Sequence, residues 1–116
     1  MRSNSSEEPE QVCPRFPRAV ELVGKRWTGA IVRTLMDGSR RFSEILDAVP
    51  GLHDRLLSER LKELESEGLV ARKVYPEMPV RIEYELTDKG RDLERVVAEV
   101  QHWADRWLAG LTRAAH

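Results

Sequence analysis

The sequence predicts a small α+β domain, and three observations carry that prediction. Four segments before residue 68 repeat apolar residues at helical spacing, and two segments between residues 69 and 86 alternate with a period of two. A long apolar stripe at helical spacing follows residue 87. With 116 residues, 41% of them hydrophobic and 34% charged, the chain can build one domain with a modest core but not a large enzyme fold. Folding at this size buries only roughly two-thirds of the unfolded chain's surface, so stability is marginal unless a partner subunit covers an apolar face. Nineteen Lys and Arg against twenty Asp and Glu name no partner by themselves.

Residues 1–11, with Ser3, Ser5, Ser6, Glu7, Glu8, Pro9 and Glu10, have almost nothing to bury and read as a mobile acidic tail. Residues 112–116 read as a flexible C-terminus, which leaves 12–111 as the domain. Residues 17–24 place Ala19, Val20 and Val23 on one helical face, with Pro17 suited to a first-turn position. Trp27, Ala30, Ile31, Thr34 and Leu35 form a second stripe, stopped by Asp37 and Gly38. Ser43 is placed to cap a short helix reaching Ala48, with Glu44 in its first turn and Ile45, Leu46 and Val49 inward. After Pro50 and Gly51, residues 53–67 align Leu57, Leu61 and Leu64, and Gly68 follows the helix end. Residues 69–75 alternate imperfectly, whereas residues 81–86 set Ile82, Tyr84 and Leu86 opposite Arg81, Glu83 and Glu85. Thr87 is a cap for the last helix, whose stripe runs through Leu93, Val96, Val97, Val100, Trp103, Ala104, Trp107, Leu108 and Leu111.

Two helices joined by a tight turn at residues 49–52 and followed at once by a hairpin match a winged helix-turn-helix, with the two strands as the wing. Residues 53–67 are then the recognition helix. Arg55, Glu59, Lys62 and Ser66 lie opposite the leucine stripe, with Ser58 beside them. Arg55 and Lys62 suit guanine edges or phosphates, and Ser58 suits base or backbone. Glu59 can accept from cytosine N4 or orient Arg55. Arg72, Lys73 and Arg81 line the wing, against which Glu77 counts mildly, and Lys25, Arg26, Arg40 and Arg41 are further phosphate-contact candidates. Residues 25–73 hold ten Lys and Arg against eight Asp and Glu, while residues 1–12 hold one against three, so positive charge is displaced from the tail. The expected partner is double-stranded DNA. Two alternatives stay open: a surface helix that merely displays solvated charge, and a winged module for protein contacts, favoured by Glu59, Glu63, Glu65 and Glu67.

The stripe of the last helix is too large for so small an interior, and Trp103 and Trp107 either meet a twofold copy or cover the domain's own first helix. A homodimer would present two recognition helices to half-sites about 34 Å apart. One cysteine, Cys13, allows no internal disulfide, and His53, His102 and His116 are too scattered for a metal site, so neither metal nor cofactor is expected. No motif links Cys13, His53 and His102 into a catalytic set, so the chain does not read as an enzyme. With no hydrophobic signal core and no stretch near the roughly 20 apolar residues of a membrane span, it reads as cytoplasmic.

Residues 13–108 resemble the HxlR-type winged helix-turn-helix regulators. The resemblance rests on Cys13-Pro14, on Val23-Gly24-Lys25-Arg26-Trp27-Thr28, and on Arg40-Arg41-Phe42-Ser43-Glu44-Ile45. It continues through Leu57-Ser58-Glu59-Arg60-Leu61-Lys62-Glu63-Leu64-Glu65, Gly68-Leu69-Val70, Tyr75-Pro76-Glu77-Met78-Pro79, Arg81-Ile82-Glu83-Tyr84 and Leu86-Thr87-Asp88-Lys89-Gly90. It implies a bacterial homodimeric regulator, repressor or activator, whose terminal helices build the dimer. Val20, Val96, Val100, Trp103 and Trp107 would then lie in the interface. It also implies that Arg55, Ser58 and Lys62 belong to the recognition helix and residues 75–81 to the wing. This chain departs from the family where His53 and Asp54 replace the usual Ser or Thr opening the recognition helix: either Asp54 moves the cap along or His53 reaches a phosphate. It departs again where Val80 follows Pro79. Cys13 occupies the place of a cysteine that some such regulators use to sense oxidants, quinones or aldehydes. Near Arg15 and Arg18 it is a candidate for redox or electrophile sensing, the other reading being an inert cysteine packed near the last helix.

Overall fold

The computed structural model describes residue 11 and residues 13–110, so nearly all of the expected tail and the 112–116 terminus lie outside the described residues. Its elements are α1 (Arg15–Gly24), α2 (Thr28–Leu35), α3 (Phe42–Ala48), α4 (Asp54–Ser66), β1 (Val70–Tyr75), β2 (Arg81–Leu86), α5 (Asp88–Arg91) and α6 (Leu93–Trp107). This is the α+β winged helix-turn-helix arrangement. The core sits where α2, α3 and α4 meet the base of the wing: Ile31, Val32 and Leu35 face Ile45 and the stripe Leu57, Leu61 and Leu64. Leu69, Val70, Tyr84 and Leu86 close it from the sheet side, and Val97 is the contribution of α6.

β1 and β2 pair antiparallel from Val70 opposite Leu86 to Tyr75 opposite Arg81. A third segment, the one before α3, adds an isolated antiparallel bridge to β2: the Arg40 N–H donates to the Tyr84 carbonyl at 2.9 Å, and the Tyr84 N–H returns the bond at 2.8 Å. That exchange anchors the base of the wing to the helix-turn-helix. At the other end of β2, the Thr87 hydroxyl donates to the Gly68 carbonyl and accepts from the Gly90 N–H at 3.1 Å. A methyl group at Gly90 would lie 2.1 Å from the Leu69 carbonyl oxygen, so only glycine lets α5 approach the start of β1 this closely.

Several boundaries differ from the expectation. α1 begins at Arg15, ahead of Pro17, which still falls in the first turn. Trp27 is not part of the second helix: it precedes α2 with a left-handed backbone, φ 79°. Ser43 is not a cap, because α3 already starts at Phe42 and the Glu44 carboxylate accepts from the Arg41 N–H at 2.8 Å. The expected single last helix is two. Thr87 caps the short α5, and Asp92 separates it from α6, which ends at Trp107.

Candidate nucleic-acid interface

The buried leucines of α4 turn its opposite side outward. Arg55, Glu59 and Lys62 are exposed there and Ser58 is half-buried. Arg55 Nε lies 3.4 Å from Glu59 Oε2, one helical turn on, so Glu59 has the geometry to orient Arg55. His53 occupies the N-cap position with an extended backbone and no capping bond from its side chain. Asp54 is the first helical residue and so does not shift the cap along; its carboxylate favours the positive end of the helix dipole.

The basic residues named from sequence divide into two groups. Among the described residues, Lys62, Arg40, Arg41 and Arg72 make no ion pair. The others are engaged. Lys25 Nζ meets Glu63 at 3.0 Å, Lys73 Nζ meets Glu85 at 2.8 Å, and the Arg26 guanidinium stands 4.9 Å over the Trp27 ring. Arg81 bonds Glu77 at 2.8 Å, also bonds Glu83, and stacks 4.1 Å from the Tyr75 ring centre. Ser39 Oγ donates to Glu83 at 2.9 Å from the loop before α3. The Ser39 hydroxyl and Arg81 hold the Glu83 carboxyl below the usual carboxylate range, and Arg81 does the same to Glu77. The hydrogen bond to Glu85 raises the Lys73 ammonium in turn. The wing is thus braced by its own charges, with Arg72 its uncommitted cation.

Arg60 and Ser39 were not singled out from sequence. Arg60 Nε donates to the Arg26 carbonyl at 3.2 Å and Nη1 to Glu63 at 3.1 Å. Local pattern does not report the Arg60–Arg26 or the Ser39–Glu83 contact, since each joins residues more than thirty positions apart in the chain, whereas Arg60 and Glu63 stand at the i, i+3 spacing of one helix face.

The terminal helices carry a second surface. α1 has no buried residue, and its Phe16 and Val20 are exposed. On α6, Val96 and Val100 are exposed, as are Trp103 at 58% and Trp107 at 64%. The tryptophans therefore do not cover the domain's own first helix. Cys13 is exposed, just before Pro14, so within the described chain it is not buried against α6, and its carbonyl accepts from the Phe16 N–H at 2.9 Å. Arg18, one of the two arginines expected near it, instead bonds Glu67 at 2.7 Å. Among the described residues no three His, Cys, Asp or Glu side chains gather to hold a metal ion, and no helix is long and apolar enough to cross a membrane.

The family model for the HxlR-like helix-turn-helix matches residues 22–111. An uncharacterized HTH-type transcriptional regulator of Bacillus subtilis, YvaP, is 56% identical over 98 residues, 84% of this chain and 91% of that protein. The solved reduced form of the B. subtilis transcriptional regulator YodB is 47% identical, with a TM-score of 0.75 over 84% of this chain and 95% of that one. The quinone-bound form of YodB aligns with a TM-score of 0.71 at 44% identity, over 83% of this chain and all (100%) of that one.

Proposed function

The chain belongs to the HxlR-like helix-turn-helix family, a family of DNA-binding transcription regulators and not of enzymes, and from that premise we propose that it is a homodimer that reads a two-half-site operator in double-stranded DNA. One observation carries the reading: α4 buries Leu57, Leu61 and Leu64 and presents Arg55, Ser58, Glu59 and Lys62 outward. These four residues read base edges in the major groove. Arg40, Arg41 and Arg72, unpaired within the described chain, meet phosphates on either side, and His53 adds a contact where the backbone enters α4. Lys73 and Arg81 brace the wing first, since each already has a carboxylate partner. The exposed stripe of Val96, Val100, Trp103 and Trp107, together with Val20 on α1, supports pairing with a second copy.

Cys13 is the proposed control point, reacting with an electrophile or oxidant. A quinone would take up the thiol by addition: a sulfur–carbon bond forms as the S–H bond breaks and its proton passes to one quinone oxygen. The C–H proton at the attacked carbon then moves to the other oxygen, leaving the thioether-bearing hydroquinone with no external reductant needed. The exposure of Cys13 and the existence of reduced and quinone-bound forms of the related YodB support this reading.

Selection from random duplexes followed by gel shift tests the first part. A palindromic site with half-sites one turn apart is the expected result, and no duplex bound above non-specific background at moderate salt would sink it. A protein partner captured in its place would support the protein-contact module, which the acidic Glu59, Glu63, Glu65 and Glu67 suggest from sequence. For Cys13, an unchanged mass and unchanged operator affinity after quinone treatment would remove the control point.

A further inference from the structure

α1 lies along one flank of α4, between its leucine face and the proposed DNA surface, and contributes no fully buried residue to the core, only the half-buried Leu22 packed against it. Charge adds to that apolar contact. Arg18 reaches Glu67 at the end of α4 at 2.7 Å, and Lys25, just past the end of α1, reaches Glu63 at 3.0 Å. From the other direction Arg60 of α4 donates to the Arg26 carbonyl at 3.2 Å and to Glu63 at 3.1 Å. Glu63 thus gathers Lys25 and Arg60, and Arg60 ties Glu63 to the backbone that joins α1 to α2.

The next residue makes a second, independent attachment. Trp27 sits at φ 79°, a left-handed conformation that a bulky residue keeps only when its surroundings over-determine it. Its ring lies against Gly51 in the turn that leads into α4: a methyl group built on Gly51 would be 3.2 Å from Trp27 Cη2. Lys25, Arg26 and Trp27 therefore touch both the turn before the recognition helix and the flank of that helix.

We propose that these three residues form a clasp that sets the orientation of α4 relative to the dimerising helix α1, with Lys25 a positioning residue and not a phosphate contact. The proposal rests on the reading of α4 as the DNA-facing helix and of α1 as part of the dimer. A change in how the two copies of α1 meet is then carried into the spacing of the two recognition helices through these short-range contacts.

A charge-swap cycle on the full chain tests it, using Lys25→Glu, Glu63→Lys and the double variant. In the free protein, nuclear magnetic resonance is expected to show the Gly51 amide and Trp27 indole signals displaced in each single variant and returned in the double. With the selected operator, each single change is expected to weaken binding ~2- to 5-fold, the range of an exposed ion pair, and the double variant to recover it. The slope of log affinity against log salt stays that of the unaltered protein. A phosphate contact at Lys25 gives the opposite result: a slope smaller by about one, a loss that Glu63→Lys does not repair, and Gly51 and Trp27 signals that do not move. That result would overturn the clasp. If the unaltered protein binds no duplex, the DNA reading fails, and the Gly51 and Trp27 signals still decide the clasp.

Discussion

The middle of the molecule and its two ends are built from similar apolar stripes that meet different fates. On α4, Leu57, Leu61 and Leu64 are closed off by α2, α3 and the base of the wing, and Leu61 is 1% exposed. On α6, Val96, Val100, Trp103 and Trp107 follow the same helical spacing and include two larger side chains, yet Trp107 stays 64% exposed, and α1 has no fully buried residue. Periodicity states that a helix has a face to bury. It does not state against what. The winged core closes within one chain, whereas the terminal helices are left with an uncovered apolar face, the one proposed to meet a second copy.

Substitutions in the two regions should therefore separate folding from association. The largest effect is expected at the centre: Leu61→Ala should lower unfolding free energy by ~2–5 kcal/mol, read by urea denaturation at a protein concentration where association is saturated. Trp103→Ala should leave helical content in place and weaken self-association by about 2 kcal/mol or more, roughly 30-fold, in sedimentation equilibrium. If Trp103→Ala unfolds the chain while Leu61→Ala does not, the contrast between centre and ends is wrong. Smaller again is Lys62→Ala, which touches neither region's packing and should hold stability within ~0.5 kcal/mol. A base contact there changes preference at one operator position by ~1–3 kcal/mol, and a phosphate contact lowers all sites alike and reduces the salt slope by about one.

The smallest effect concerns the wing. Because Glu77 and Glu83 are held below the ordinary carboxylate value of 4.5, their contribution to the folded wing is complete above that pH and is lost as pH falls through their lower folded values. A carboxylate titration by nuclear magnetic resonance should place both midpoints below 4.5, and Arg81→Gln should move them up. Midpoints that ignore Arg81→Gln would show that the wing's charges do not brace one another.

Much of this was legible in the residues. The stripe of Leu57, Leu61 and Leu64, the Pro50-Gly51 turn and the alternation from Ile82 to Leu86 are each set by short-range spacing, and together they order the helix-turn-helix and its wing. The outward position of Arg55, Glu59 and Lys62 follows from the same spacing, because it is the complement of the leucine face. Thr87 was legible as a cap but not as the cap of a separate short helix, since the break at Asp92 carries neither glycine nor proline. Ser43 misled because a local preference for serine caps was set aside by a carboxylate reaching back from Glu44.

The sequence by itself determined which segments are helical or extended, which faces are apolar, and which side of α4 faces outward, because these depend on interactions a few residues apart. Only the tertiary structure decided how those faces were used. It paired Arg40 with Tyr84, committed Lys25 to Glu63 and Arg81 to two carboxylates, set Trp27 against Gly51, and left Trp103 and Trp107 uncovered. The reason is physical: the partner of a charged or aromatic side chain is set by which distant segments the packed core brings within a few ångströms, and local periodicity carries no record of that distance.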